Sequence, residues 1–195
     1  MVNCDRIICY FFSVKSTKIL LILLVVFSFV LLACRDDLGT FDGSEVYSDP
    51  TIGFEITPPE GWYESGVMAD GRFVTFVDSE GDVEDGIDAF HSYLSVASDS
   101  AGDLSFSEYM ERAKENAKDA VDGLEYLEEE SVQINGHSGE IVVTQLEEGE
   151  VEVVKMQLLV MRNTSVYIVT GTSLASAWDE NEQTIQDALL SFSFD

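Results

Sequence analysis

Four strand-like runs at 126–134, 141–146, 151–161 and 166–172 fill the C-terminal half. The short segments between them carry Asn135-Gly136, Glu148-Gly149 and Arg162-Asn163. Connections this short cannot hold the dozen or so residues of a parallel crossover, so successive runs must pair antiparallel. Val, Ile, Tyr and Thr dominate the runs, as suits a pleated, half-buried surface. The spacing therefore predicts an antiparallel meander, and the rest of the chain has to fold around it.

Upstream, residues 53–57 alternate and stop at Pro58-Pro59, which cannot donate to a ladder. Residues 72–77 form a second clear strand and lead into an acidic loop over 78–88. A third strand spans 89–98, with Phe90, Leu94 and Val96 on one face and His91 and Tyr93 on the other. Ser105-Phe106-Ser107-Glu108 matches a capping box, in which hydroxyl and carboxylate each satisfy an orphan amide. Tyr109, Met110, Ala113, Ala117, Ala120 and Val121 then recur at helical spacing, and Gly123 stands where a left-handed C-cap belongs. A second helix over 177–190 carries Trp178, Ile185, Leu189 and, just beyond it, Phe192 on one stripe. Together these elements predict an α+β fold, a central antiparallel β-sheet flanked by two main helices.

The N-terminus sets the address. Behind Lys15 and Lys18, the run 19–33 has one hydroxyl side chain, Ser28, and no charge. It has the length of a secretory h-region and falls short of the roughly 20 apolar residues of a spanning helix. Its end, Leu31-Leu32-Ala33-Cys34, resembles the lipobox of bacterial lipoproteins. That resemblance implies diacylglyceryl transfer to the Cys34 sulfur and cleavage after Ala33. The alternative is an uncleaved signal anchor with an incidental cysteine; either way the chain beyond Cys34 is exported and tied to a membrane. The expected organisation is a signal peptide over 1–33, a lipidated cysteine with a flexible polar tether over 34–46, and one domain over 47–195. In a two-membrane envelope, Arg35 is not the Asp that marks inner-membrane retention, so the outer membrane is favoured there; otherwise the cell membrane is the expected location.

Cys4 and Cys9 leave with the leader and Cys34 takes the lipid, so no cysteine remains for a disulfide, a thiolate metal site or a nucleophile. The whole chain has 37 acids and 10 bases. Removing Asp5, Arg6, Lys15 and Lys18 leaves 36 acids and 7 bases, a net charge of −29. Such charge favours solubility and opposes compaction. It excludes nucleic acid as a partner, which needs clustered Lys and Arg, and it should hold the domain off anionic lipid.

Tyr47, Gly53-Phe54 and the step Pro59-Glu60-Gly61-Trp62 resemble the opening of PsbP-like domains. Ser107-Glu108-Tyr109, the stretch 132–139 around Ile134-Asn135-Gly136-His137-Ser138-Gly139, and the closing Ser191-Phe192-Ser193-Phe194 extend the likeness across 47–195. The resemblance implies an α/β/α sandwich of the PsbP type, and a binding or assembly role without a shared catalytic centre. It carries over no photosynthetic role, because the photosystem protein docks through basic residues and this surface is acidic, and no family functional residue maps onto this sequence with enough specificity to transfer.

Candidate chemistry is sparse. His91 and His137 could serve an envelope hydrolase as base or ligand, but no Gly-x-Ser-x-Gly elbow accompanies them. The 78–88 loop offers hard oxygen ligands, and Asp78, Glu80 and Asp82 form a candidate Ca²⁺ set, although the spacing departs from an EF-hand. Glu128-Glu129-Glu130 and Glu147-Glu148-Gly149-Glu150 read as charged strand edges that discourage association. Trp62 and Trp178 read as core. No cofactor motif is present.

The expected function is thus a membrane-anchored extracytoplasmic lipoprotein, acting as a non-enzymatic binding or assembly module for basic envelope proteins or divalent cations. The alternatives are a hydrolase using His91 or His137 and a purely structural envelope lipoprotein. Replacing Cys34 by Ser should move the protein from the membrane pellet to the soluble fraction on cell fractionation; retention in the pellet would favour the uncleaved anchor.

Overall fold

The computed structural model describes residues 40–65, 71–78 and 90–194. The leader, Cys34, the first part of the tether, Glu80 and Asp82 lie outside them. Strands β1 (Tyr47–Asp49), β2 (Phe54–Ile56), β3 (Tyr63–Glu64), β4 (Arg72–Val77) and β5 (Tyr93–Ser100) precede helix α1 (Phe106–Ala120). Then come β6 (Glu125–Ile134), β7 (His137–Glu148), β8 (Val151–Arg162) and β9 (Ser165–Leu174). A 3₁₀ turn at Ala175–Ala177 leads into α2 (Trp178–Leu190) and β10 (Ser193–Phe194).

Seven strands make one sheet in the order β3-β4-β5-β9-β8-β7-β6, with every pair antiparallel. The predicted meander is its larger part. Asn135 and Gly136 both take positive φ (50° and 79°), which matches the right-handed twist of the strands they join. Asn163 does the same at the β8–β9 turn, with φ 59°. A second, three-stranded sheet, β1-β2-β10, pairs the two ends of the domain through Phe54↔Phe194 and Glu55↔Ser193.

Side-chain alternation along the meander divides the core in two. Ile141 and Val143 of β7, Met156, Leu158 and Val160 of β8, and Val169 of β9 pack with Ile185, Ala188 and Leu189 of α2 and with Phe54, Phe76 and Phe192. The intervening Val142, Leu159 and Val166 pack instead with Tyr109 and Met110 of α1. Trp62 is buried in the first cluster and Trp178 packs against it, so both act as core residues. The sheet outweighs the helices. Of α1, only Tyr109 and Met110 are buried, while Ala120 is exposed, so the helix covers the sheet with its N-terminal half.

The capping box of α1 forms as the spacing predicts. Ser105 N–H donates to Glu108 Oε2 at 2.8 Å and Glu108 N–H donates to Ser105 Oγ at 3.4 Å. The hydrogen bonds from the Ser105 side chain and backbone hold the Glu108 carboxyl below its usual range. Gly123, with φ 76°, turns the chain beyond the cap. Contacts to the domain start ahead of Tyr47. Thr40 bridges Tyr63, Phe41 N–H donates to the Trp62 carbonyl at 3.0 Å, and the Phe41 ring stands edge-on to Phe76 at 5.3 Å.

Two features generate measurable consequences. A Cβ on Gly171 would collide with Ile185 Cγ2, the side chain that seats α2 on β9. Gly171→Ala should therefore destabilise the fold by ~1–3 kcal/mol in urea titration. Adding Ile185→Ala should cost less than the sum of the two single changes, since both act on one contact. Tyr109, buried and donating to Asp99 Oδ2 at 3.1 Å, has its phenol pushed up to about 12, first by desolvation and then by the hydrogen bond. Below about pH 10 the phenol is neutral in both states. As pH rises from there toward 12 the unfolded tyrosine ionises first, so stability should fall over that window. Tyr109→Phe should remove this part of the alkaline loss, measured by denaturation at stepped pH.

Candidate functional site

The two histidines sit at opposite ends of the sheet. Pairing of Val77 with Tyr93 carries Asp78 alongside Ser92. Asp78 Oδ2 accepts from Ser92 N–H at 3.1 Å, and Asp78 N–H donates to the Ser92 carbonyl, also at 3.1 Å. His91 Nδ1 lies 3.3 Å from Asp78 Oδ1, with both side chains about one-third exposed. The neighbouring Ser92 hydroxyl turns inward, 3.3 Å from Ser173 Oγ, which in turn accepts from Asn181 Nδ2 at 2.9 Å. This network fastens the start of β5 to β9 and α2. Asp78 is the one described member of the expected calcium set, and among the described residues no three His, Cys, Asp or Glu side chains are grouped to hold a metal.

His137 opens β7 directly after the Asn135-Gly136 turn. Its ring stands edge-on to Phe194 at 5.2 Å, and Asn135 Oδ1 accepts from Phe194 N–H at 3.1 Å. The turn thus receives the C-terminal strand, a packing duty that turn chemistry alone did not reveal.

Two concave features among the described residues lie elsewhere, on either side of β6. Toward α1, a cleft of about 710 Å³ opens between Phe106, Met110 and Lys114 of the helix and Ser131, Gln133 and Glu140 of the sheet. Lys114 Nζ reaches Glu140 at 2.6 Å and Glu129 at 2.8 Å. Desolvation works against its ammonium, but the bonds from Glu129 and Glu140 outweigh it and raise the pKa above the usual lysine value. Toward α2, a cleft of about 370 Å³ has Glu128, Glu130 and Glu182 at its rim and Ile141, Val143 and Met156 as its floor. The sequence reading of Glu128-Glu129-Glu130 as an edge is correct as to place. It did not find that all three line the cleft toward α2 while Glu129 also reaches across to Lys114 at the other cleft; register separates them, since Glu129 pairs with Val142, whereas Glu128 and Glu130 pair with Val143 and Ile141. A signal for the first cleft was present in Lys114, a charge four residues after Met110 on the apolar stripe of α1.

Comparison with known proteins bears on this architecture. No curated protein matches the chain. Among solved structures, the cyanobacterial PsbP protein CyanoP of Synechocystis sp. PCC 6803 aligns with TM-score 0.55 and 18% identity, over 77% of this chain and 92% of its own. LpqN of Mycobacterium tuberculosis, described as involved in cell envelope biogenesis, aligns with TM-score 0.58 and 12% identity over 75% and 86%. PA94 of Pseudomonas aeruginosa, a protein of unknown function, aligns with TM-score 0.53 and 18% identity over 75% and 94%. Likeness at these identities speaks to the fold, and it supports the PsbP-like architecture expected from the sequence. The model of the DcrB family matches residues 94–191, from β5 through the end of α2. On that match, which takes in half of the sequence, the chain belongs to the DcrB family.

Proposed function

We propose that this DcrB-family chain is a lipid-anchored extracytoplasmic protein that works as a non-enzymatic binding or assembly module at the cell envelope. The observation that carries this reading is the placement of the clefts: both border β6, both are lined by carboxylates, and neither is lined by a histidine. The leader and the Leu31-Leu32-Ala33-Cys34 motif support export and attachment to the cell or outer membrane. The family match and the fold shared with LpqN agree with an envelope role. The two alternating clusters support the three-layer α/β/α arrangement of PsbP-type domains.

With 36 acids against 7 bases beyond the leader, the partners of this surface are basic proteins, with Ca²⁺ at Asp78 and its neighbours as a further ligand. Attraction of this kind is screened by salt, so affinity should fall steeply between low and physiological ionic strength. Crosslinking of the anchored protein in intact cells, followed by calorimetry of the captured partner at stepped salt, tests this. A captured partner that is basic and binds in a salt-dependent way is expected; capture of nothing, together with no heat on adding Ca²⁺, would remove the reading.

The Asp78–His91 contact is the one observation that favours a hydrolase. A broad esterase, amidase and glycosidase screen on the wild type and His91→Ala should show no activity that the substitution abolishes.

A further inference from the structure

β6 is the outermost strand of the seven-stranded sheet, and no described strand pairs with its outer side. It is 10 residues long, enough for a ladder of main-chain hydrogen bonds with an added strand. Long edges are usually shortened, covered or charged. This one is charged, by Glu125, Glu128, Glu129 and Glu130, and kinked by a register shift between Tyr126 and Glu128. Those glutamates repel a second copy of the same strand, but they attract a strand of opposite charge.

The two clefts give that attraction a pattern. Side chains of an added strand would alternate between the faces of the sheet, as those of β6 do. On the α1 face they would meet the cleft bounded by Phe106 and Met110, where Lys114 is already held by Glu129 and Glu140. An apolar side chain suits that face. On the α2 face they would meet Glu128, Glu130 and Glu182 above Ile141, Val143 and Met156. Among the described residues no ion pair reaches these three glutamates. An apolar floor under a carboxylate rim fits a lysine, whose aliphatic stem packs on the floor while its ammonium stays at the rim.

From this we infer that β6 is a strand-addition site for an extended segment of a basic protein, in which lysines alternate with apolar residues. The inference rests on the binding-module reading above and supplies its site and the pattern of its ligand.

The full chain in detergent micelles is titrated by fluorescence anisotropy with three peptides matched in length to β6. One alternates Leu and Lys, one has the same residues in two blocks, and one is the alternating peptide N-methylated along its backbone. The alternating peptide should bind at least about tenfold more tightly than either of the others. The pair Glu128→Lys and Glu130→Lys should weaken it by about tenfold or more, and the milder pair Glu128→Gln and Glu130→Gln by less. Far-UV circular dichroism checks that both variants fold, and the N-methyl comparison needs no variant. Equal binding of all three peptides, unchanged by the substitutions, would overturn the β6 site while leaving a diffuse acidic binding surface standing. Binding of none of them would overturn both.

Discussion

The register of the β6–β9 meander is the constraint on which the rest of this domain depends. Because alternate side chains face opposite ways, one choice of pairing places Ile141, Val143, Leu158 and Val169 against α2 and Val142, Leu159 and Val166 against α1. A slip by a single residue would exchange the two sets and leave neither helix an apolar floor. The turns hold that register. Asn135-Gly136 and Asn163 accept the left-handed backbone that two-residue connections require, and Gly171 leaves the gap into which Ile185 fits.

Around this core the charge is lopsided. No cysteine follows Cys34, so the domain has no disulfide of its own, and the apolar core must offset the self-repulsion of a strongly acidic shell. Several of the described cations are used locally. Lys114 joins α1 to β6 and β7, Lys155 pairs with Glu148 across the β7–β8 hairpin, and Arg162 covers the Phe194 ring and donates to the Gly53 carbonyl. Among the described residues no ion pair reaches Glu128 or Glu130 at the β6 rim.

Much of this was legible in the sequence, and the division follows interaction range. The meander, its turns, the α1 capping box and the core duty of Trp62 are set by residues a few positions apart, so periodicity and turn chemistry expose them. The β1-β2-β10 sheet was not foreseen, because β10 has two residues and gains its meaning only from Phe54 and Glu55 at the other end of the domain. For the same reason the packing of His137 against Phe194 is not legible from its place after the Asn135-Gly136 turn. The clefts were hidden because they depend on how far α1 and α2 reach across the sheet. The helical stripe of α1 predicts a burying face, but not that burial ends at Met110.

The contact of Thr40 with Tyr63 fixes where the chain enters the domain. It brings the incoming chain against β3, which is the opposite edge of the sheet from β6. Neighbouring strands lie about 4.8 Å apart, so β6 stands on the order of 30 Å across the sheet from that entry point. The chain thus enters the domain at one rim of the sheet and leaves its unpaired strand at the other, so a strand added at β6 would not have to displace the entering segment.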